Sequence, residues 1–396
     1  MTKAGAAFLF GSGISRASGC PSVEEITESV LSKDWHWDGG VVVPGKPTAP
    51  LFGPNDELGG RTRDLIRLVH ARLIEHLLYR ERRLPTYEDH FSCLSQIVDD
   101  EMGEFPNPPI RDFSHSLRFQ SFNLWNGIHA HLSNGYGNHF ASLSDKAIEA
   151  IQHVVHRSLA AKGPPVGFGL LSSVFDKLGS LDIFSLNHDL LIEDYLDSRS
   201  IHYADGFGKW DGDAKPFSWS WNKEDVQVRL FKLHGSIDWY RLHFKARDVV
   251  QYAKTRGDPE HAKDSTGTLL LSLDPSPYFV TGTTFKELSY GRGISGEVFA
   301  QFKPRLREHH TLFCSGYGWG DIGINARIAQ WLHDDKVHRV VILHGKEGED
   351  LKAKRFWQIH WDKLSGKGKV VRLDKWFSQC SYGDIAPYLQ PLSAAR

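Results

Sequence analysis

The stretch that decides the fold is AAFLFGSGIS, residues 6–15, in which a run of apolar residues leads directly into a glycine turn. Five apolar residues in succession, at 6–10, predict a strand that is buried on both faces of a parallel sheet. Glycines at 11 and 13 predict a tight turn, and residues 22–31 predict the helix that follows. A dinucleotide-binding fold begins with this order of strand, glycine turn and helix.

Alternation of strands and helices returns in the second half of the chain. The pattern predicts core strands at 181–186, 228–233, 311–315, 339–344 and 369–373, with helices between several of them. Two further strands are predicted at 268–273 and 278–281. This order predicts an α/β fold, a Rossmann-like doubly wound parallel sheet with an inserted helical lobe.

The inserted lobe is predicted from helical periodicity in RDLIRLVHARLIEHLLYRERR, YEDHFSCLSQIV and KAIEAIQHVVHRSLAA. Residues 34–60, rich in Trp, Gly and Pro, are predicted to form a long loop. The predicted domains are a core of residues 1–33 and 165–375, a loop and helical lobe at 34–164, and a tail at 376–396.

Composition excludes several classes of protein. The chain has 396 residues, 40% hydrophobic and 24% charged, so it is not predominantly disordered. Lys and Arg total 47 against 48 for Asp and Glu, which gives no basic footprint for nucleic acid. No apolar run approaches the roughly 18 residues that span a bilayer. We therefore expect no membrane contacts and no direct nucleic-acid contacts.

Cysteine and histidine spacing gives no reason to expect a metal. The four cysteines are scattered, without a CxxC pair, and a reducing cytoplasm fits them best, so we expect a cytoplasmic protein. His129, His131 and His139 lie close in sequence, but no carboxylate or cysteine completes a recognisable ligand spacing.

The first of four motifs is Gly11-Ser12-Gly13-Ile14-Ser15, which follows the first strand. Glycines let a backbone approach a pyrophosphate, while a helix N-terminus and the hydroxyls of Ser12 and Ser15 supply donors to it. A plain glycine turn would have the same sequence, so the motif alone leaves both interpretations open.

The second motif is SLNHD, which ends the strand at 181–186. Asn187 could hold a ribose hydroxyl or a water, and Asp189 could accept from an amide or stabilise nearby positive charge. The alternative is an Asx turn in which Asp189 caps the next helix.

The third motif is KLHGS, which ends the strand at 228–233 and contains His234, Gly235 and Ser236. His234 could act as a general base. It could also be a half-buried core histidine, since the chain contains 21 histidines.

The fourth motif is SGYGWGD with Asn325 following it, after the strand at 311–315. Small residues such as Gly316, next to Tyr317, would admit an adenosine ribose, and Asp321 or Asn325 could bond its hydroxyls. The alternative is a loop rich in glycine for steric reasons only.

Taken in order, GSGIS, SLNHD, KLHGSIDW and SGYGWGD with IN following resemble the sirtuin-like family, in particular its bacterial branch of NAD-hydrolysing antiphage effectors. The resemblance covers roughly residues 1–33 and 165–345, and extends to PTYEDHFSCLSQI in the helical lobe. Two departures from the deacylase branch are visible: the paired cysteines of its zinc module are absent, and SVEEIT follows GISRASGCP without the Phe-Arg of deacylases.

The resemblance implies a role for each motif residue. Asn187 and His234 would be catalytic, with Asn187 orienting a water or hydroxyl and His234 taking a proton. The residues that would contact NAD are Gly11, Gly13 and Ser15 at the phosphates, Asp189 near the nicotinamide ribose and amide, Gly316 and Asn325 at the adenosine half, and also Ser12, Gly235, Ser236, Tyr317 and Asp321.

The expected activity is therefore an NAD glycohydrolase, with NAD as substrate and no metal, that acts in antiphage defence by depleting NAD. Alternatives are an NAD-dependent protein deacylase and a non-catalytic sensor of NAD or ADP-ribose. Because constant NAD depletion would kill its host, we expect an inhibited state that a trigger or partner releases. The expected assembly is a homo-oligomer, and the resemblance suggests a HerA-type hexameric ATPase as partner.

Overall fold

The computed structural model describes residues 6–31, 35–38, 41–44, 54–81, 83–103, 108–125, 139–222, 225–274, 276–282, 290–291, 293–345, 351 and 354–391. The chain divides into two compact units. Unit 1 comprises Met1–Cys20, Lys162–Val280 and Lys286–Arg396, and unit 2 comprises Pro21–Ala161 and Thr281–Phe285. The domain boundaries predicted from the sequence remain a prediction.

The strands are, in chain order, β1 (Ala6–Phe10), β2 (Trp35–Asp38), β3 (Val41–Pro44), β4 (Leu181–Ser185), β5 (Ala214–Pro216), β6 (Val228–Lys232), β7 (Trp239–Phe244), β8 (Val249–Thr255), β9 (Leu271–Ser272), β10 (Thr311–Ser315), β11 (Arg339–Leu343) and β12 (Val370–Leu373).

The helices are α1 (Val23–Val30), α2 (Pro54–Glu81), α3 (Tyr87–Met102), α4 (Pro108–Gln120), α5 (Phe122–Trp125), α6 (His139–Ala160), α7 (Gly169–Leu178), α8 (Leu191–Ser198), α9 (Gly293–Leu306), α10 (Ile322–Asp334), α11 (Arg355–Ser365) and α12 (Tyr382–Ile385).

Unit 1 is built on a six-stranded sheet in the order β12-β11-β10-β1-β4-β6, in which every neighbouring pair is parallel. All five residues of β1 are buried, as are all five of β4, β10 and β11, because helices cover a parallel sheet on both faces. Phe8 of β1 lies opposite Ile183 on one side and Phe313 on the other. The predicted α/β Rossmann-like fold with a doubly wound parallel sheet is confirmed.

A second sheet in unit 1 was not predicted. It is antiparallel, in the order β5-β8-β7-β9. Its core is the hairpin of β7 and β8, and the predicted strand at 268–273 contributes only Leu271–Ser272. The predicted strand at 278–281 is wrong: the structure has a single bridge there, between Phe279 and Gly235, because Gly235 turns the chain toward it.

Unit 2 contains the helices α1 to α6. Helix α1 begins at a capping box, in which Glu25 N donates to the Ser22 hydroxyl and Ser22 N donates to the Glu25 carboxylate. The prediction of a continuous loop at 34–60 is wrong in part, since β2 pairs with β3 there and α2 begins at Pro54. Val41, Val42 and Val43 favour a strand because of their β-branched side chains. The rest of that stretch lies outside the described residues.

Candidate functional site

The four sequence motifs follow four strands that are neighbours in the central sheet, β10, β1, β4 and β6. All four strands are parallel, so their carboxyl ends lie at one edge, where ligands of open α/β sheets bind. Every residue assigned to the site from the sequence belongs to unit 1.

The glycine turn after β1 packs directly on the loop after β10. Gly11 N donates to Ser315 O at 3.0 Å, and Gly13 N donates to Gly316 O at 3.0 Å. Gly316 has a φ of 66°, and a Cβ there would lie 2.5 Å from Ile14 N. Glycine is therefore needed at these positions for contact between two backbones. Contact of this turn with a phosphate stays a prediction.

Ser15 connects the glycine turn to the SLNHD loop. Its buried hydroxyl donates to Asp189 Oδ2 at 2.7 Å and accepts from Asn187 Nδ2 at 3.0 Å. Asp189 Oδ1 also accepts from Leu191 N at 3.0 Å at the start of α8. Asp189 therefore has both roles: it caps α8, which was one of the two interpretations of the sequence, and it binds Ser15. Ser12, by contrast, is exposed.

The two polar atoms of the Asn187 amide differ in their hydrogen bonds. Asn187 is 5% exposed, and its Oδ1 is buried without a hydrogen-bond partner among the described residues. Burying an amide oxygen without a partner is unfavourable, so such atoms usually mark a missing water or ligand. Asn187 Oδ1 can accept a hydrogen bond from a hydroxyl or a water.

A buried ion cluster lies under this loop. Lys232 Nζ donates to the carbonyl of Asp189 and lies 3.4 Å from Glu193 Oε1. Lys254 Nζ lies 2.8 Å from Asp205 Oδ2 and 3.7 Å from Glu193 Oε1. Lys232 can be noticed in the sequence as a charged residue at the end of an apolar strand. The sequence around Glu193, Lys254 and Asp205 gives no indication that they join it.

His234 lies in a cluster of three polar side chains. Its Nε2 is 2.6 Å from the Tyr290 hydroxyl and 3.0 Å from Asp321 Oδ2, and the Tyr290 hydroxyl donates to the same Asp321 oxygen at 2.6 Å. His234 and Asp321 are 4% and 9% exposed. Tyr290 was missed, since no motif surrounds it. Asp321, predicted to contact NAD, lies beside the histidine.

The loops that carry Asn187 and His234 are joined to each other. Ile237 N donates to His188 O at 3.0 Å, and the Ser236 hydroxyl donates to the same carbonyl at 3.3 Å. Gly235 has a φ of 77°, and a Cβ there would lie 2.6 Å from Tyr278 O. Gly235 and Ser236 thus hold the loop in shape, and their contact with NAD stays a prediction.

Asn325 and Tyr317 form hydrogen bonds with their own loop. The Tyr317 hydroxyl donates to Asn325 Oδ1 at 2.9 Å, and Asn325 Nδ2 donates to Trp319 O at 2.9 Å. Burial raises the pKa of Tyr317 well above its ordinary value, so the hydroxyl keeps its proton. A ribose at Asn325 would have to compete with these bonds.

The remaining candidate groups show no sign of metal or thiol chemistry among the described residues. Burial, together with the nearby Asp189, raises the pKa of the Cys20 thiol to about 12, so the thiol stays neutral. The part of the chain that the structure describes holds no group of three or more potential metal ligands. His129 and His131 lie outside the described residues, as does the side chain of His139. No described helix has the length and hydropathy of a membrane span.

Comparison with known proteins gives one family match. Residues 182–360 match the family model of the SIR2-like domain, which points to NAD-dependent activity. No curated protein matches the sequence. Two solved structures are similar over 92% of this chain and 93% of their own: a sirtuin studied for substrate affinity, at 9% identity and a TM-score of 0.32, and a mutant Sir2 homologue with ADP-ribose, at 12% and 0.33. Likenesses this slight support no further conclusion.

Proposed function

We propose that this chain is an NAD glycohydrolase, which cleaves NAD into nicotinamide and ADP-ribose. The observation that carries the proposal is the pairing of Asn187 and His234 on the loops after the adjacent strands β4 and β6, joined through the carbonyl of His188. The match of residues 182–360 to the SIR2-like domain supports NAD as the substrate.

Hydrolysis of NAD requires few groups beyond Asn187 and His234. The nicotinamide of NAD is a pyridinium, so it leaves as a neutral molecule with the electron pair of the broken C–N bond and needs no acid. Water forms the new bond to the ribose carbon, through an oxocarbenium-like transition state of the kind found in glycoside cleavage. Asn187 Oδ1 would accept a hydrogen bond from the water or a ribose hydroxyl, and His234 would take the proton that the water loses.

A general base alone does not account for catalysis. Positioned bases contribute about 10²- to 10⁴-fold, so orientation and electrostatic stabilisation supply the rest. The hydrogen bond from Asn187 Nδ2 to Ser15, whose hydroxyl is fixed by Asp189, holds the amide in one orientation. This preorganisation also fits a site that must bind an NAD ribose in one pose.

The test is release of nicotinamide from NAD by the purified chain, alone and with its genomic neighbour, with Asn187→Ala and His234→Ala beside the wild type. Both variants should lose turnover while keeping the thermal midpoint of the wild type within a few degrees. His243→Ala is a matched control, since His243 lies on β7 and contacts Asp248 at the surface. Wild-type turnover by the His234 variant would show that the base is assigned wrongly.

Two alternative activities give different products. A protein deacylase would need an acyl-lysine peptide and would form an acylated ADP-ribose, whereas hydrolysis needs no peptide. A sensor would bind NAD or ADP-ribose tightly and release no nicotinamide. The absent paired cysteines disfavour the deacylase, and the hydrogen-bonded cluster at His234 favours an enzyme over a sensor.

We also propose that the activity serves antiphage defence and is held inactive until triggered. Constant depletion of NAD would kill the host, and this toxicity is the reason to propose an inactive resting state. Release would come from assembly into a homo-oligomer or from a partner such as a HerA-type hexameric ATPase. Full activity of the purified chain alone, as a monomer and with no ATPase bound, would contradict this part of the proposal.

A further inference from the structure

We propose that Asp321 is a positioning residue for His234, which fixes the tautomer and orientation of the imidazole rather than binding a ribose. The proposal rests on the proposed function, because it concerns the base of that reaction. The Asp321 carboxylate lies 3.0 Å from His234 Nε2. The two residues come from loops that follow β6 and β10, so only the fold brings them together.

The hydrogen bonds around Asp321 indicate where the proton on His234 lies. A carboxylate only accepts, so the Nε2 that bonds to it must carry a hydrogen. The Tyr290 hydroxyl donates to the same Oδ2 at 2.6 Å, and its oxygen is then an acceptor for Nε2. A neutral His234 with its hydrogen on Nε2 has its lone pair on Nδ1. Nδ1 is therefore the atom that takes a proton.

Charge gives Asp321 a second effect on the base. Asp321 is 9% exposed and His234 4%, so little water screens the carboxylate from the ring. An adjacent negative charge stabilises the imidazolium that forms when His234 takes a proton. A third group that orients and stabilises the base is a recurring arrangement in enzymes with an activated nucleophile.

The competing role for Asp321 is the one predicted from the sequence, in which it bonds the ribose of adenosine. Its Oδ2 faces His234 and Tyr290, and its Oδ1 accepts from Ile324 N at 2.9 Å as the cap of α10. Both oxygens are thus engaged within the protein. A ribose contact would break one of these bonds, so positioning agrees better with the geometry.

The experiment uses Asp321→Asn in the full chain. Asparagine caps a helix as well as aspartate does, so α10 should be kept while the charge is lost. We expect kcat for nicotinamide release to fall on the order of 10²-fold, within the range that general-base catalysis contributes. KM for NAD and Kd for ADP-ribose should change by less than about twofold, since a positioning residue touches neither. Asp321→Ser, which also caps the helix, should lose kcat to the same degree.

A second readout does not depend on activity. Nitrogen NMR of labelled histidine, with the His234 signal assigned by its loss in His234→Ala, should show the hydrogen on Nε2 in the wild type and a shifted tautomer population in Asp321→Asn. If no nicotinamide is released by any form of the chain, alone or with the proposed partner, the proposed function fails, and the NMR spectra still decide the role of Asp321.

Three results would overturn the proposal. An ADP-ribose Kd that weakens by the factor by which kcat/KM falls would make Asp321 a ribose-binding residue. An unchanged kcat in both variants would leave it as a helix cap only. A hydrogen on Nδ1 of His234 in the wild type would remove the physical basis of the proposal.

Discussion

The hydroxyl of Ser15 donates a hydrogen bond to Asp189 Oδ2 at 2.7 Å, although the two residues are 174 positions apart in the sequence. The same hydroxyl accepts from Asn187 Nδ2. One side chain from the glycine turn thus fixes two polar residues of the loop after β4, Asn187 and Asp189. Its position makes it a support for the amide of Asn187, which is proposed to be catalytic.

Ser15→Ala should therefore affect both stability and turnover. It leaves buried groups of Asp189 and Asn187 without a partner, which costs about 1–3 kcal/mol. We expect a lower thermal midpoint and a lower kcat for nicotinamide release, measured by calorimetry and product analysis. Ser12→Ala is the control: Ser12 is exposed, so its loss should leave stability within about 0.5 kcal/mol and raise only KM. Identical behaviour of the two variants would contradict this assignment.

Gly316→Ala should destabilise the protein. Its φ of 66° is unfavourable for alanine, at about 1–2 kcal/mol, and the new Cβ would meet Ile14 N at 2.5 Å, where overpacking costs about 1–3 kcal/mol more. Gly318→Ala is matched in loop and size, and nothing lies within 4 Å of its Cβ. A denaturant titration should show a clear fall in the free energy of unfolding for Gly316→Ala and a change within about 0.5 kcal/mol for Gly318→Ala. Equal midpoints would mean that the two loops are not in close contact.

Lys254→Met tests the buried ion cluster. Burial alone would lower the pKa of Lys254, but Asp205, Asp238 and Glu193 raise it well above its ordinary value. Removing the cation leaves Asp205 with Lys215 alone and Glu193 with Lys232 alone. It also takes from Asp238 its ion pair with Lys254, and removing one partner of a buried ion pair costs about 3–5 kcal/mol. Urea unfolding should show this loss as a lower midpoint for Lys254→Met. Lys245→Met, at an exposed position, is the control and should leave the midpoint nearly unchanged. A small effect in the first variant would show that water reaches the cluster.

The histidine pair in unit 2 predicts a loss of stability in acid. His70 Nδ1 lies 2.9 Å from His90 Nε2, and burial, together with His70, lowers the pKa of His90 to about 3. Between that value and the ordinary value of about 6.5, the unfolded state binds a proton that the native state does not. Stability therefore falls as pH drops through this window, by up to about 1.4 kcal/mol per pH unit, and levels off below it.

His90→Leu should weaken this dependence, because the buried group no longer titrates. The measurement is the urea midpoint at pH 7 and at pH 5 for wild type and variant. The wild type should lose more stability between these two pH values than the variant does. A pH dependence that the substitution leaves untouched would place the acid sensitivity elsewhere.

Part of this structure could be predicted from the sequence, for physical reasons. Strand β1 is apolar throughout, and β10 and β11 contain apolar runs at 312–314 and 340–343, because both faces of these strands are buried. Such runs can be recognised in the sequence without knowing the neighbouring strands. The hairpin of β7 and β8 was missed. Polar and apolar residues mix in WYRLHF and VVQYAKT, and no Asn-Gly or Asp-Gly pair marks the turn between them.

Some residues of the candidate site could likewise be predicted from the sequence, and others could not. Asn187, His234 and Asp321 follow predicted strands, and the shared edge of a parallel sheet was enough to bring them together. Tyr290 and Lys254 reach the site or its support through tertiary packing, from segments with no motif. Placing those two residues near the site requires the three-dimensional path of the chain, and the local sequence around each residue carries no information about that path.

The central position of β1 bears on how the chain is made. Translation produces Ala6–Phe10 before either of its neighbours in the sheet, since β4 starts at Leu181 and β10 starts at Thr311. Contacts of such long sequence separation form slowly. During synthesis, the five apolar residues of β1 remain unpaired until β4 and β10 have left the ribosome. An unpaired apolar strand is prone to aggregation. We expect this chain to depend on a chaperone while it is being translated.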